Sequence, residues 1–455
     1  MLVVVEPARA NDLSITNVRL TGQDVSAHTV LVEFDLAWQN SWRLSGTEPN
    51  NWDAVWLFAK YRIAGGDWYH ATLSTSGHAI PSGAVIGQGD GLGVFLYRSA
   101  PGTGAVSFTD VRLRWNYGAD GVGDTADQVE VRVLGIEMVY IPQGAFAAGG
   151  IGTETDAYTL TTISTADATV TPSGAGSKGG QAGGFPTGQL APSTPSWPNG
   201  FAAFYVQKYE ITQGQYADFL NLLTASQAAN RNPPTVNRLT ITGSYPNFYA
   251  TAPARACPNL NWADGTAYAD WAGLRPMTEL EFEKAQRGPA LPVADEFAWG
   301  TNSIHTLAYT VSNDGASNAS ITNPGSGTGN ANYASGAIGG PLRAGIFAVG
   351  NNREESGAGY YGVMDLSGNL AERPVGLESA ASRAFDGTPG DGALSQTGNS
   401  NAPTWFAGSG VHAGMRGGNW SQVSGVLRLA ARPGAANLIS GRQEHNGFRL
   451  ARTAP

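Results

Sequence analysis

Cysteine is nearly missing from this sequence: of 455 residues, Cys257 is the only one. A lone thiol excludes an intrachain disulfide framework, and it excludes any zinc site that needs several thiolates. Charge is scarce too, at 14% of residues. Neutral polar side chains must therefore cover much of the surface, as is common in secreted proteins and in phage or appendage components. Cations are outnumbered, with Lys+Arg 27 against Asp+Glu 36 and a formal net charge of -9. That balance leaves no basic footprint for nucleic acid or an anionic membrane surface. No run approaches the roughly 20 apolar residues that a membrane-spanning helix needs.

What is present points to a folded, turn-rich protein. The chain exceeds the length at which single cores stop growing, so at least two domains are expected. Gly 61 and Pro 25 favour short strands and many turns over long helices. Trp 12 and 42% hydrophobic residues supply enough apolar surface to offset the entropy of ordering. At the start, Leu2, Val3, Val4 and Val5 form a short apolar run before Ala8-Arg9-Ala10. Two readings stand side by side: the tail of a signal peptide with a small-x-small cleavage site, or an N-terminal strand.

From Leu13 to about Ile141 the pattern has period two. Val30, Val32, Phe34, Leu36 and Trp38 fall on one face and Glu33 and Asp35 on the other, which is a half-buried strand. Similar runs at Ala54–Ile63, Gly93–Ser99, Val111–Trp115 and Val129–Ile141 are separated by turn residues. Residues 1–137 are thus expected to form an antiparallel β-sandwich. Between 149 and 200 the composition turns to Gly, Ser, Thr, Ala and Pro with almost no charge, which reads as a long loop. Three short helices follow. One lies within Glu210–Leu223 behind Thr212, one runs from Trp262 behind Asn261, and one follows Thr278, whose capping box would close on Glu281. Glu279 and Glu283 sit at i, i+4 on the third helix beside Lys284 and Arg287, and are read as a solvated face. Arg343–Val349 and Gly447–Arg452 are strand candidates.

The order of segments within this second part is specific. It contains VYIPQGAF from Val139, FYVQKYEITQGQYADF from Phe204, NWADGTAYADWAGLRPMTELEFEKAQR from Asn261, FAWG from Phe297, YGVMDLSGNLAE from Tyr361, and RGGNW and NGFRLAR near the end. Together these resemble the formylglycine-generating-enzyme, or sulfatase-modifying-factor, family. The resemblance implies a C-type-lectin-like domain over 138–455 and an α+β, β-rich chain overall. Family enzymes oxidise a substrate cysteine with copper held by two cysteines shortly after the GG-S/N-W/Y motif. The matching stretch here, Ser421 to Arg432, reads SQVSGVLRLAAR, so copper-thiolate chemistry is not expected. A second branch uses iron bound by three histidines. His28, His70, His78, His305, His412 and His445 show no helical ligand spacing, so iron is not expected either. Cys257 is read as a buried small hydrophobe.

Three further expectations follow, the first two from the resemblance and the third from the composition, the missing cysteines and the apolar start of the chain. Structural calcium would be held by the carboxylates of Asp365 and Glu372 and the carbonyls of Gly368 and Leu370. The C-terminal segment would form a binding surface, as it does in the retroelement-diversified variable proteins whose C-termini this one is similar to. Its candidate residues are Trp420, Ser421, Gln422, Arg432, Arg442, Gln443, Glu444 and His445. The favoured function is a non-catalytic extracellular or cell-surface structural or binding protein, including a self-assembling filament subunit that uses Leu2, Val3, Val4 and Val5. Its partner would be another protein, a further copy of itself, or a surface glycan or receptor. The alternatives are a phage (virion) or cell-surface receptor-binding protein using the C-terminal face, and a family oxidoreductase with an altered, metal-dependent site.

Overall fold

In a computed structural model of the chain, residues 12–46, 48–87, 89–126, 128–167, 192–334, 338–348, 352–406, 413–435 and 440–455 are described. Eight strands come first: β1 (Ser14–Asp24), β2 (Thr29–Arg43), β3 (Asp53–Ile63), β4 (Tyr69–His70), β5 (Ala84–Gly87), β6 (Val94–Arg98), β7 (Gly102–Trp115) and β8 (Val129–Ile141). A hairpin of β9 (Phe146–Ala148) and β10 (Thr161–Ile163), then β11 (Phe204–Gln207), lead to the helices α1 (Gln213–Asn221) and α2 (Ala225–Arg231). Next come the pair β12 (Ile241–Thr242) and β13 (Tyr249–Ala250), α3 (Trp262–Trp271), β14 (Arg275–Pro276) and α4 (Glu279–Arg287). The chain ends with the pair β15 (Val311–Ser312) and β16 (Ser320–Ile321), α5 (Arg353–Ser356), α6 (Ala380–Arg383) and β17 (Leu450–Thr453). The fold is α+β and rich in β-structure.

Two sheets organise the molecule. β1, β2 and β7 form a three-stranded antiparallel sheet. An eight-stranded sheet runs β14-β17-β11-β8-β3-β6-β5, with β4 attached to β3. Strand β3 explains how one sheet serves two cores. Val55, Leu57, Ala59 and Tyr61 pack toward the three-stranded sheet, while Ala54, Trp56 and Phe58 pack toward the helices. Its near-continuous apolar run, AVWLFA, is what burial on both faces requires.

β8 is the hinge of the architecture. It pairs with β3 from Val129 to Val139, and its last residues, Met138 to Ile141, pair with β11. The boundary read from sequence at 137/138 thus falls inside a single strand. Gly135 is small for a reason: a Cβ there would sit 3.0 Å from both Ile15 and Val55. Polar contacts tie the same seam. Buried Asp53 accepts from Trp38 Nε1 (2.9 Å), Ser41 Oγ (2.8 Å), Trp42 N (2.9 Å) and Lys208 Nζ (3.3 Å). Lys60, also buried, donates to Trp271 O at 2.7 Å, satisfying a carbonyl that the end of α3 leaves open.

The three helices expected from sequence form with the caps expected. Thr212, Asn261 and Thr278 each accept from the third helical residue, and Gln215, Asp264 and Glu281 complete reciprocal boxes. Such caps contribute about 1 kcal/mol each. Helix α2 was not anticipated; Thr224 and Gln227 give it the same box. Arg343 to Ala348 is a bridge residue followed by turns, not a strand. Only the edges of the Gly/Ser/Thr-rich stretch, up to 167 and from 192, are described, and they reach the core: Tyr158, Ile163 and Trp197 are fully buried.

Candidate functional site

The reading of Glu279 and Glu283 as a solvated face is overturned. Every residue of α4 is buried, because the C-terminal segment folds over the helix and supplies its counter-charges. Arg416 Nη2 donates to Glu283 Oε1 at 2.8 Å and to Leu429 O at 2.8 Å. Arg432 donates from Nε (3.0 Å) and Nη2 (2.8 Å) to Glu279 Oε2. Tyr158 Oη donates to the same oxygen, and the Arg432 guanidinium lies 3.8 Å from the centre of the Tyr158 ring. Burial opposes ionisation of Glu279, but Arg432 and Arg416 beside it hold its carboxyl below the usual range. Opposite charges that leave water together remain ionised when each finds directed partners.

A second buried layer adjoins the first. Arg449 donates to Glu372 Oε1 from Nε (3.1 Å) and Nη2 (3.0 Å), and also to Gln207 O and Met364 O at 2.8 Å each. Asp365 Oδ2 accepts from Gly345 N at 2.6 Å. Glu210 accepts from Leu370 N (2.9 Å) and Asn369 Nδ2 (2.6 Å). Burial pushes the Glu210 and Asp365 carboxyls up, and Glu372 up to about 7. Asp365 and Glu372 are the two carboxylates expected, with the carbonyls of Gly368 and Leu370, to hold calcium. Among the described residues Glu372 Oε2 is buried without a hydrogen-bond partner, and calcium takes about six to eight oxygens from carboxylates, backbone carbonyls and water. Among the described residues no group of three or more His, Cys, Asp or Glu side chains is placed to hold a metal ion. The cation paired with Glu372 in this layer is the Arg449 guanidinium.

Above the Arg416 layer the C-terminal segment encloses a concavity of about 250 Å³. Ala371, Met415, Arg416, Gly418 and Asn419 line it together with Gln422, Val426, Ala431, Pro433, Gly434, Gln443 and His445. Gln422, Gln443 and His445, expected at the binding surface, are thereby brought together from two separate loops. Trp420 stands at 6.5 Å from His445, edge to face, and Ser421 beside it is exposed and donates to Asn419 Oδ1 at 2.7 Å. Glu444 is half-buried and outside the lining. Two of the expected residues do not belong to this surface. Arg432 is fully buried against Glu279. Arg442 clasps Asp264 through Nε (2.7 Å) and Nη2 (2.8 Å) and so fastens the loop to the first turn of α3. Leu2, Val3, Val4 and Val5 lie outside the described residues.

The sequence profile of the sulfatase-modifying factor enzyme 1-like domain matches residues 129–454, well over half of the 455 residues. The chain belongs to this family. No curated protein matches it. Among solved structures, Treponema denticola variable protein 1 is similar at 16% identity and a TM-score of 0.36, over 70% of this chain and 96% of that one. The family match opens at Val129, the first residue of β8. The sandwich strands β1 to β7 are therefore built onto the family domain's own first strand.

In this family member the segment after RGGNW runs through the short helical turn Ser424–Leu427 into the buried Leu429, Ala430 and Ala431. Cys257 lies elsewhere, fully buried among Ile211, Leu260 and the α1 and α3 aromatics. Burial pushes its thiol well up, which disfavours the thiolate that nucleophilic or metal-binding chemistry needs. Arg416, Asn419 and Val426 were not singled out as site residues from sequence. The RGGNW motif contained two of them, but nothing in its spacing marks Arg416 as a floor.

Proposed function

We propose that this chain is a non-catalytic, surface-exposed binding protein whose recognition site is the concavity framed by Gln422, Gln443 and His445. The observation that carries this reading is convergence: these residues belong to two loops, and both loops are fastened to the domain by ion pairs. Arg416 and Arg432 anchor the first to α4, and Arg442 anchors the second to α3. Loops with polar tips on fixed roots are how rigid scaffolds present binding surfaces. The lining offers neutral amides, an imidazole and small apolar groups over a floor that includes the Arg416 guanidinium paired with Glu283, which suits a polar portion of a protein or glycan surface. A C-type-lectin-like arrangement of the family domain and a secreted, cell-surface or virion location go with this reading.

Binding is tested by applying the purified protein to a glycan array and to a displayed random-peptide library, beside a Gln422→Ala/Gln443→Ala variant. A signal lost in the variant supports the proposal. Signals that survive unchanged, or none in either format, count against it.

A further inference from the structure

On the side of the sandwich away from β6 and β7, both sheets end in an open edge. Among the described residues β1 pairs only with β2. Among the described residues β8 pairs on its outer side only through Met138–Ile141, so Val129 to Ile136 find no ladder partner there among them. Between these two edges lies a groove of about 270 Å³. Leu20, Val30, Trp115, Tyr117, Val122 and Val129 give it an apolar lining. Gln23 spans its end, donating to Tyr117 Oη (3.2 Å) and Asp124 O (2.9 Å). A slot with an apolar floor and a polar rim that includes Thr21, Gln23 and Asp124, set between two open strand edges, has the shape and the backbone chemistry to accept one more strand.

We infer that the groove is the docking site for the Leu2–Val5 segment of a second copy of this chain. Leu2-Val3-Val4-Val5 is uncharged and β-branched, the composition that suits a strand buried in such a slot, and Glu6-Pro7 ends it. Reach decides between the chain's own segment and that of another copy. A segment folding back on its own β1 must reverse direction before Ser14. Even the tightest two-residue turn, at Asn11-Asp12, sets Leu2 opposite Thr21 and Val5 opposite Val18. The groove is lined on β1 by Leu20 to Gln23 and continues to Gly123 and Ala126. The chain's own segment would thus bring only Leu2 and Val3 to its near end. A segment delivered from a neighbouring copy is free of that register and can run the whole length of the slot, turning alternate side chains, Leu2 and Val4 or Val3 and Val5, into it; because each copy both gives and receives, the contact is head-to-tail and extends into a polymer.

The lone, buried Cys257 makes a disulfide test clean. Val4→Cys and Gly123→Cys are made as separate full-length variants; a Cβ at Gly123 meets nothing within 4 Å, so the second change does not disturb folding. Mixing the two under mild oxidation should give a crossed disulfide-linked dimer, absent when either variant is oxidised alone in the presence of excess wild type. The double variant should give a ladder of multimers on a non-reducing gel. A double variant that closes its disulfide within one chain, or a mixture that forms no crossed dimer, overturns the inference. Neither outcome bears on the concavity of the C-terminal segment.

Discussion

Arg416 and Glu283 meet at 2.8 Å with neither side chain exposed to water, so a residue from the RGGNW motif is locked to a helix 133 positions earlier in the chain. This pair roots the loop that frames the concavity.

Removing one partner should therefore be costly. Glu283→Ala strands the Arg416 guanidinium in a dry layer and removes the acceptor of Gly149 N, and breaking a buried pair in this way costs about 3–5 kcal/mol. Urea denaturation should show a loss of that size. A change below about 1 kcal/mol would mean that water reaches this layer.

The shared strand predicts cooperativity. Because β8 belongs to both cores and Asp53 binds Lys208 across the seam, the sandwich and the family domain should unfold in a single transition by calorimetry and by tryptophan fluorescence. Asp53→Ala removes the acceptor of Trp38 Nε1, Ser41 Oγ and Trp42 N and one partner of Lys208, which keeps Asn40 O and Glu137, and should lower that one transition, at a cost of about 3 kcal/mol. Two resolved transitions would contradict the seam.

His70 supplies a pH dependence. Its Nε2 donates to Leu92 O at 2.6 Å and its Nδ1 accepts from Lys60 Nζ at 3.0 Å, so the ring is held neutral. Burial, with Lys60 beside it, lowers its pKa to about 3. The unfolded chain takes up a proton near pH 6.5 while the folded one does not. The stability contributed by neutral His70 is therefore full above pH 6.5 and is lost progressively as pH falls from there toward 3. His70→Gln should flatten the fall in melting temperature between pH 7 and pH 5. An identical fall in both proteins would remove His70 as its source.

Much of the scaffold could be read from the sequence because it follows local rules. Period-two alternation marked β2, β3 and β8, and the capping boxes at Thr212, Asn261 and Thr278 marked α1, α3 and α4. The site was less legible because its chemistry is non-local. Glu279, Glu283, Lys284 and Arg287 on one short helix look like a solvated face when their neighbours in sequence are counted. They are buried because Arg416, Arg432 and Glu296 arrive from elsewhere. The same applies to Arg432 and Arg442, which resemble surface cations until Glu279 and Asp264 are placed beside them. Gln422, Gln443 and His445 were recognised through the RGGNW and NGFRLAR frame, not through any periodicity.

The central claim, a family fold used for binding without the family's oxidation, is tested most directly by offering the purified protein a cysteine-containing peptide with copper and oxygen and following the peptide by mass spectrometry. The account predicts no formylglycine above the protein-free control, because the one thiol, Cys257, is sealed in the core and Ser421 to Arg432 supply none. Multiple turnovers of peptide to the aldehyde would contradict it.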